Sequence, residues 1–308
     1  PDPDASTVLP DDVAIGAPDA TFRYGSHHLQ ALDVYRGTTG QTLVWLHGGG
    51  WEGGDKALGP NDEMRNFNRV PRVLHADGWT VVSVNYRLSP EAHLDDMVDD
   101  FYASLAAVGR NAGAWNVDLD RLVVGGFSAG AHIAGLGATA RNDGTFNPPD
   151  GLPAIQAIVS QDGNLMSSLF AAAVPEGTVD ASGNNLSPAP AIARLLDCPG
   201  GSFAQCSTNQ IAKSDIALIF QPFKRAAAPE RVLVLEAGLE QFGGFHRALL
   251  GGEAGSFDLG LRLLLVGGGG EVAQDDLDRV GGLCTAERQR CRQRRNGTES
   301  ESSWIRLH

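Results

Sequence analysis

Residues 122–130 read LVVGGFSAG, and this stretch decides the predicted fold. The apolar run at its start is typical of a strand that is buried on both faces of a parallel sheet. Residues 129–140 are rich in alanine, which predicts a helix that starts directly after Ser128. The stretch therefore predicts a buried strand, a tight turn at Ser128 and a helix.

Similar apolar runs occur on both sides of this stretch, and helical segments alternate with them. The further predicted strands are residues 42–46, 80–84, 154–159, 231–235 and 261–266. Residues 95–109 carry apolar side chains three and four positions apart, which indicates an amphipathic helix. Residues 21–24 and 29–36 alternate as in an antiparallel hairpin at a sheet edge. The pattern predicts the α/β class, with a mostly parallel sheet and helices on both faces.

The length of 308 residues suits one such domain, and we expect residues 1–308 to form it. Residues 163–215 are rich in small and polar residues, which predicts a lid insertion. Cys198 and Cys206 flank a short loop there and can close a disulfide. Residues 272–308 read as a divergent C-terminal tail.

Charge and composition exclude several classes of partner. The net charge is −13, from 37 acidic and 24 basic residues. Such a surface repels nucleic acid and anionic lipid, so we expect neither as a partner. No apolar run approaches the roughly 20 residues that span a bilayer, and no histidine accompanies the cysteines at the spacing of a metal site. Residues 1–12 resemble the start of a processed chain, which predicts a secreted or periplasmic protein.

The segment from Gly126 to Gly130 fits G-x-S-x-G, in which a serine stands on a sharp turn between a strand and a helix. This pattern predicts Ser128 as a nucleophile. The helix that follows directs its first backbone amide, that of Ala129, and its dipole towards a developing negative charge.

A second motif, HGGGW at residues 47–51, follows the strand at 42–46. Its glycines leave backbone amides free to face a carbonyl oxygen. We expect Gly49 and Gly50 to form an oxyanion hole together with Ala129. Trp51 is a candidate substrate-binding residue.

Together with GDK at residues 54–56 and NYRLSP at 85–90, these motifs resemble the esterase/lipase branch of the α/β-hydrolases. The acetyl, feruloyl and hormone-sensitive-lipase-like esterases are the most similar groups. The resemblance implies that His47 orients the glycine loop and that Tyr86 and Arg87 brace the surrounding loops. It implies no cofactor and no metal.

The fold orders its triad as serine, acid and histidine along the chain. By resemblance, Glu240 matches the acid after the strand at 231–235. The histidine should follow the strand at 261–266, but residues 267–271 read GGGGE. His132 lies one turn into the helix after Ser128, and we expect it in the core.

Three explanations of the missing base stay open. His246 is the provisional base, oriented by Glu240 or another carboxylate. His308 could fold back from the end of the chain. Alternatively, the sequence from about Gln241 onward is divergent or frame-shifted and supplies no base.

These features predict a serine carboxylesterase that cleaves short-chain or aromatic acyl esters through an acyl-enzyme, with polyesters as a further substrate class. The expected partner is a small-molecule or polymeric ester, and the sequence indicates no oligomeric state. Two alternatives remain: a catalytically impaired or non-catalytic binding protein on the same fold, and an amidase or formamidase.

Overall fold

The structure is a computed structural model. It describes residues 13–59, 68–141, 144–161 and 185–215, together with the shorter stretches or single residues 163, 167, 171, 174, 176–180 and 183. Further along the chain, it describes the backbone of three strands at residues 232–237, 261–266 and 305–307.

The described strands form one nine-stranded sheet in the order β1-β2-β4-β3-β5-β6-β7-β8-β9. Their bounds are β1 Ala20–Arg23, β2 Ala31–Tyr35, β3 Thr42–Leu46, β4 Thr80–Val84, β5 Leu122–Phe127, β6 Ala157–Gln161, β7 Val232–Ala237, β8 Leu261–Val266 and β9 Ile305–Leu307. Strands β4, β3, β5, β6 and β7 are parallel neighbours, and β1 pairs with β2 in the predicted antiparallel hairpin. The α/β class and the mostly parallel sheet are therefore confirmed.

Five α-helices are described, two of them short. Their bounds are α1 Arg69–Ala76, α2 Leu94–Trp115, α3 Ala129–Thr139, α4 Ala189–Leu195 and α5 Thr208–Ser214. Helices α2 and α3 pack on one face of the sheet, and a separate apolar cluster that includes Leu74 of α1 packs on the other. Helices thus cover both faces, as predicted.

Helix α2 is longer than the predicted 95–109. It begins at a capping box in which the Asp96 carboxylate accepts from the backbone amide of His93 at 3.0 Å. It ends at Asn116, whose left-handed backbone (φ 56°) stops the helix. The side chain of Trp115 is buried in the core, which extends the apolar face by more than a turn.

Strand β8 occupies the predicted residues but runs antiparallel to β7. The register pairs Leu261 with Ala237 and Val266 with Val232. Strand β8 therefore ends at the sheet edge opposite to the one at which β5 ends. The resemblance placed the base directly after residue 266, and the direction of β8 does not bring that position to the edge of Ser128.

The described part of the predicted lid contributes to the core. We call residues 185–215 the cap. Ile192, Ala193 and Leu195 of α4 are fully buried in the same cluster as the sheet. Cys198 and Cys206 form the predicted disulfide, with their Cα atoms 4.7 Å apart. Within the described residues, no helix is both long and apolar enough to cross a membrane.

Candidate active site

Ser128 is the single residue between β5 and α3, and its backbone is strained. Its φ of 49° and ψ of −114° lie outside the regions that side chains favour. Two hydrogen bonds hold this conformation: the Ser128 amide donates to Gln161 O at 2.8 Å, and its carbonyl accepts from the His132 amide at 3.0 Å. A nucleophile turn of this kind is what the G-x-S-x-G pattern predicted.

The turn lies directly against the end of β3. Leu46 pairs with Gly126 across the parallel ladder. A Cβ atom on Gly130 would overlap the carbonyl oxygens of Leu46 and His47, so only glycine permits this approach. The packing therefore brings the start of the glycine loop beside Ser128.

The glycine loop is a tight turn with exposed glycines. Gly49 and Gly50 have φ values of 126° and 62°, and Trp51 has a φ of 65°. The amides of Glu52 and Gly53 both donate to Gly49 O at 3.1 Å, which closes the turn. Within the part of the chain that the structure describes, the amides of Gly49, Gly50 and Ala129 donate no hydrogen bond. They can stabilise an oxyanion, and that role stays a prediction.

His47 is buried behind this loop and stacks on Tyr86, with ring centroids 4.5 Å apart. Its Nδ1 lies 2.7 Å from Gly48 O, and the Tyr86 hydroxyl donates to His47 O at 2.9 Å. Burial lowers the pKa of His47, so the ring is neutral and Nδ1 donates to the carbonyl. These contacts agree with an orienting role for His47.

Trp51 is 3% exposed. Its ring meets that of His132 edge to face, with centroids 5.5 Å apart, and its carbonyl accepts from the Ser89 amide at 2.8 Å. These contacts anchor the loop from inside the protein. A direct contact with substrate stays a prediction.

Asp55 and Asn85 form a polar contact near the glycine loop. Both residues belong to motifs named in the sequence, but neither was assigned a role there. The Asn85 amide donates to Asp55 Oδ2 at 2.9 Å, and the Ala57 amide donates to Asp55 Oδ1 at 2.8 Å. Burial opposes ionisation of Asp55, but these hydrogen bonds prevail and lower its pKa. The signal in the sequence was that both residues belong to motifs that carry the resemblance, GDK at 54–56 and NYRLSP at 85–90.

Arg87 has the bracing role that the resemblance implied. Its guanidinium donates to both carboxylate oxygens of Asp100, at 2.9 to 3.1 Å, and to Asp96 at 3.1 Å. Asp100 is buried on α2, so the pair fixes the segment after β4 to that helix.

His132 lies in the core, as predicted. It is fully buried, and its Nε2 lies 2.8 Å from the carbonyl oxygen of Ser214 in the cap. Burial lowers the pKa of His132 to about 4, so the ring is neutral at ordinary pH.

The predicted base and acid, His246 and Glu240, lie outside the described residues, as does His308. The structure describes the other six of the eight histidines, and none of them hydrogen-bonds to the Ser128 hydroxyl. Ser128 as the nucleophile and His246 as its base therefore both stay predictions.

Comparisons with known proteins agree with this geometry. The family model BD-FAE matches residues 32–165. LipM of Mycobacterium tuberculosis, a probable carboxylic ester hydrolase, is 30% identical over 139 residues, which cover 43% of this chain and 31% of LipM. The carboxylesterase NlhH of the same species is 38% identical over 101 residues, 33% of this chain and 30% of NlhH. The chain thus spans less than a third of the length of these relatives.

A solved structure of esterase B from Lactobacillus rhamnosis matches with a TM-score of 0.49 and 20% identity, covering 67% of this chain and 63% of that one. The family-model match contains both the glycine loop and the nucleophile turn. Residues 32–165, which carry both motifs, are thus similar to α/β-hydrolases of the esterase/lipase kind, and the mostly parallel sheet agrees with that fold.

Proposed function

We propose that this protein is a serine carboxylesterase that works through an acyl-enzyme. The observation that carries the proposal is the strained turn of Ser128 beside a loop in which the Gly49 and Gly50 amides donate no hydrogen bond within the described residues. Strain of this kind costs on the order of 1–3 kcal/mol and persists where the surrounding structure enforces it.

In the proposed reaction, Ser128 Oγ attacks the ester carbonyl carbon as a base takes its proton. The negative charge on the carbonyl oxygen is stabilised by the amides of Gly49, Gly50 and Ala129 and by the start of α3. Collapse of the tetrahedral intermediate breaks the ester bond, and the protonated base returns the proton to the leaving alcohol. Water then attacks the acyl-enzyme by the same route and releases the acid.

The sheet register supports His246 as the base. Strands β5 and β7 run parallel with only β6 between them, so their carboxyl ends lie at one edge, roughly 10 Å apart. Ala237 ends β7 at this edge, and its partner Leu261 begins β8 there. The connection 238–260, which contains Glu240 and His246, therefore leaves and re-enters the sheet at the edge of Ser128.

His308 is the competing candidate. Leu307, the residue before it, also pairs with Leu261 and so ends β9 at the same edge. Strand β9 lies four strand spacings from β5, roughly 19 Å. The shorter separation favours His246.

We propose short-chain or aromatic acyl esters as substrates, since two of the matched relatives are named a probable carboxylic ester hydrolase and a carboxylesterase. Polyesters remain within the same proposed chemistry. We also propose a secreted or periplasmic location, for which the Cys198–Cys206 disulfide is the support, because such bonds persist in oxidising compartments.

The test measures p-nitrophenyl butyrate hydrolysis and labelling by a fluorophosphonate probe. We expect the wild type to turn over the ester and to take up one probe per chain at Ser128. Ser128→Ala should lose both. Ser26→Ala, on the exposed surface, is the matched control and should keep both. A folded wild type that neither hydrolyses nor labels would favour a non-catalytic binding protein instead.

A further inference from the structure

His132 contacts three parts of the protein that meet at the candidate site. Its amide donates to the carbonyl of Ser128, its ring faces Trp51 of the glycine loop at 5.5 Å, and its Nε2 reaches Ser214 of the cap at 2.8 Å. No local pattern links Ser214 to His132, because 82 residues separate them in the sequence.

The hydrogen bond to Ser214 determines the state of the ring. A carbonyl oxygen only accepts, so Nε2 carries the proton and donates. Nδ1 is buried and has no hydrogen-bond partner in the described residues. The ring is therefore a neutral donor with one fixed tautomer.

Ser214 lies at the end of α5, where its carbonyl is no longer needed by the helix. The Ser167 hydroxyl donates to the same oxygen at 3.2 Å. Next to it, Lys213 pairs with Asp95 at the start of α2. Within the described residues, the end of the cap is thus attached by buried contacts through His132 and Ser167 and by an exposed ion pair through Lys213.

We infer that His132 is a positioning residue that aligns the Ser128 turn and the Trp51 end of the glycine loop by anchoring both to the cap carbonyl of Ser214. The inference rests on the proposed esterase function. It predicts that the His132 donor acts on the rate of the chemical step and not only on stability, because a small displacement of nucleophile or oxyanion amides is costly in the transition state.

The test compares His132→Leu with His132→Gln in the full chain. Leucine removes the donor, whereas the glutamine amide nitrogen stands the same number of bonds from Cα as Nε2 and can replace it. Lys213→Ala is the control, because it removes the exposed attachment beside Ser214 and leaves the buried one. Rates are expressed per fluorophosphonate-titrated site, so that loss of folded protein does not count as loss of rate.

We expect His132→Leu to lower kcat for p-nitrophenyl butyrate about 10-fold with KM changed less than about twofold. His132→Gln should recover most of the rate, and Lys213→Ala should match the wild type. Amide hydrogen exchange at residues 208–214 should accelerate in His132→Leu and be restored in His132→Gln.

A wild-type rate per titrated site in a folded His132→Leu would overturn the inference while leaving the esterase proposal intact. A wild type without esterase activity would overturn the proposed function. In that case unchanged exchange at 208–214 in His132→Leu would overturn the anchoring role as well. With an active wild type, equal rate losses in the leucine and glutamine variants would overturn the inference, because the donor would then not be what matters.

Discussion

The nucleophile half and the base half of the candidate site are specified in different ways. Ser128 and the glycine loop follow β5 and β3, which are adjacent parallel strands, and their glycines allow direct backbone contact. The candidate base lies in the 23-residue connection 238–260, which joins the described strands β7 and β8 and is itself outside the described residues. Short motifs can therefore determine the first half, whereas the second depends on how a long connection folds.

The largest loss of activity should follow from removing the candidate base, which belongs to the half of the site that short motifs do not determine. We expect His246→Ala to lower kcat/KM by about 10³-fold or more, because the serine then lacks its base and only the oxyanion hole and binding contribute. His308→Ala is the matched comparison and should keep the wild-type value. The measurement is kcat/KM for ester hydrolysis by both variants and the wild type in parallel.

A loss of activity in His308→Ala alone would identify His308, the residue after β9, as the base. Full activity in both single variants and in the double variant would mean that neither histidine acts as the base.

A smaller loss of activity should follow from substitutions in the glycine loop, which belongs to the half that short motifs determine. A Cβ on Gly49 would overlap Gly53 O at a φ of 126°, whereas a Cβ on Gly50 meets no atom within 4 Å. We expect Gly49→Ala to lower kcat about 10²-fold by displacing an oxyanion amide. Gly50→Ala should lose far less, since a left-handed non-glycine residue costs only about 1–2 kcal/mol of stability.

Both glycine variants are measured by kcat per titrated site. Equal kcat values in the two would show that the loop tolerates displacement, and the contrast between the two halves of the site would then disappear.

Acid stability tests the buried contact between the cap and α3. The pKa of His132 is about 4 in the folded protein, lowered by burial against the weaker effect of the Ser214 bond and the Asp215 carboxylate. An unfolded histidine titrates near 6.5, so the unfolded state binds more protons between pH 6.5 and 4. Stability is therefore present above about pH 6.5 and falls as the pH drops towards 4.

We expect this one group to account for on the order of 3 kcal/mol of the stability lost between pH 7.5 and 4. His132→Gln should remove that part of the slope. Denaturant unfolding at pH 7.5, 5 and 4 compares the two proteins, and parallel slopes would contradict the assignment.

The smallest effect should come from the exposed link between the cap and the glycine loop. Arg194 of α4 pairs with Glu52, and both side chains are more than a third exposed. A pair in this setting contributes less than about 1 kcal/mol. A double-mutant cycle of Arg194→Ala and Glu52→Ala should give a coupling energy in that range, and a value above about 2 kcal/mol would make this link comparable with the buried one.

The sequence predicts best where the relevant contacts are local. The strands, the Ser128 turn and the glycine loop depend on neighbouring residues in register, and they lie at or near the positions that the patterns indicated. The strand expected at 154–159 is shifted slightly, to Ala157–Gln161. The helix at α2 exceeded its predicted end because Trp115 is buried although it lies beyond the recognised apolar stripe. The direction of β8 depends on the connection before it, which no short pattern encodes.

The cap also shows that contacts between residues far apart in the sequence are hard to predict. The small and polar residues of 163–215 suggested a lid, yet Ile192 and Leu195 are fully buried in the same core cluster as the sheet. The bond from His132 to Ser214 depends on how this segment packs. Only the folded chain brings the two residues together.

The missing side chain of Gly130 has a consequence for engineering. The backbone at Gly130 touches the carbonyls at the end of β3, so the nucleophile turn and the glycine loop move as one unit. Grafting either segment alone into another hydrolase should therefore spoil the alignment of both. Changes in substrate preference are better sought at cap residues that contact neither of these two segments nor His132.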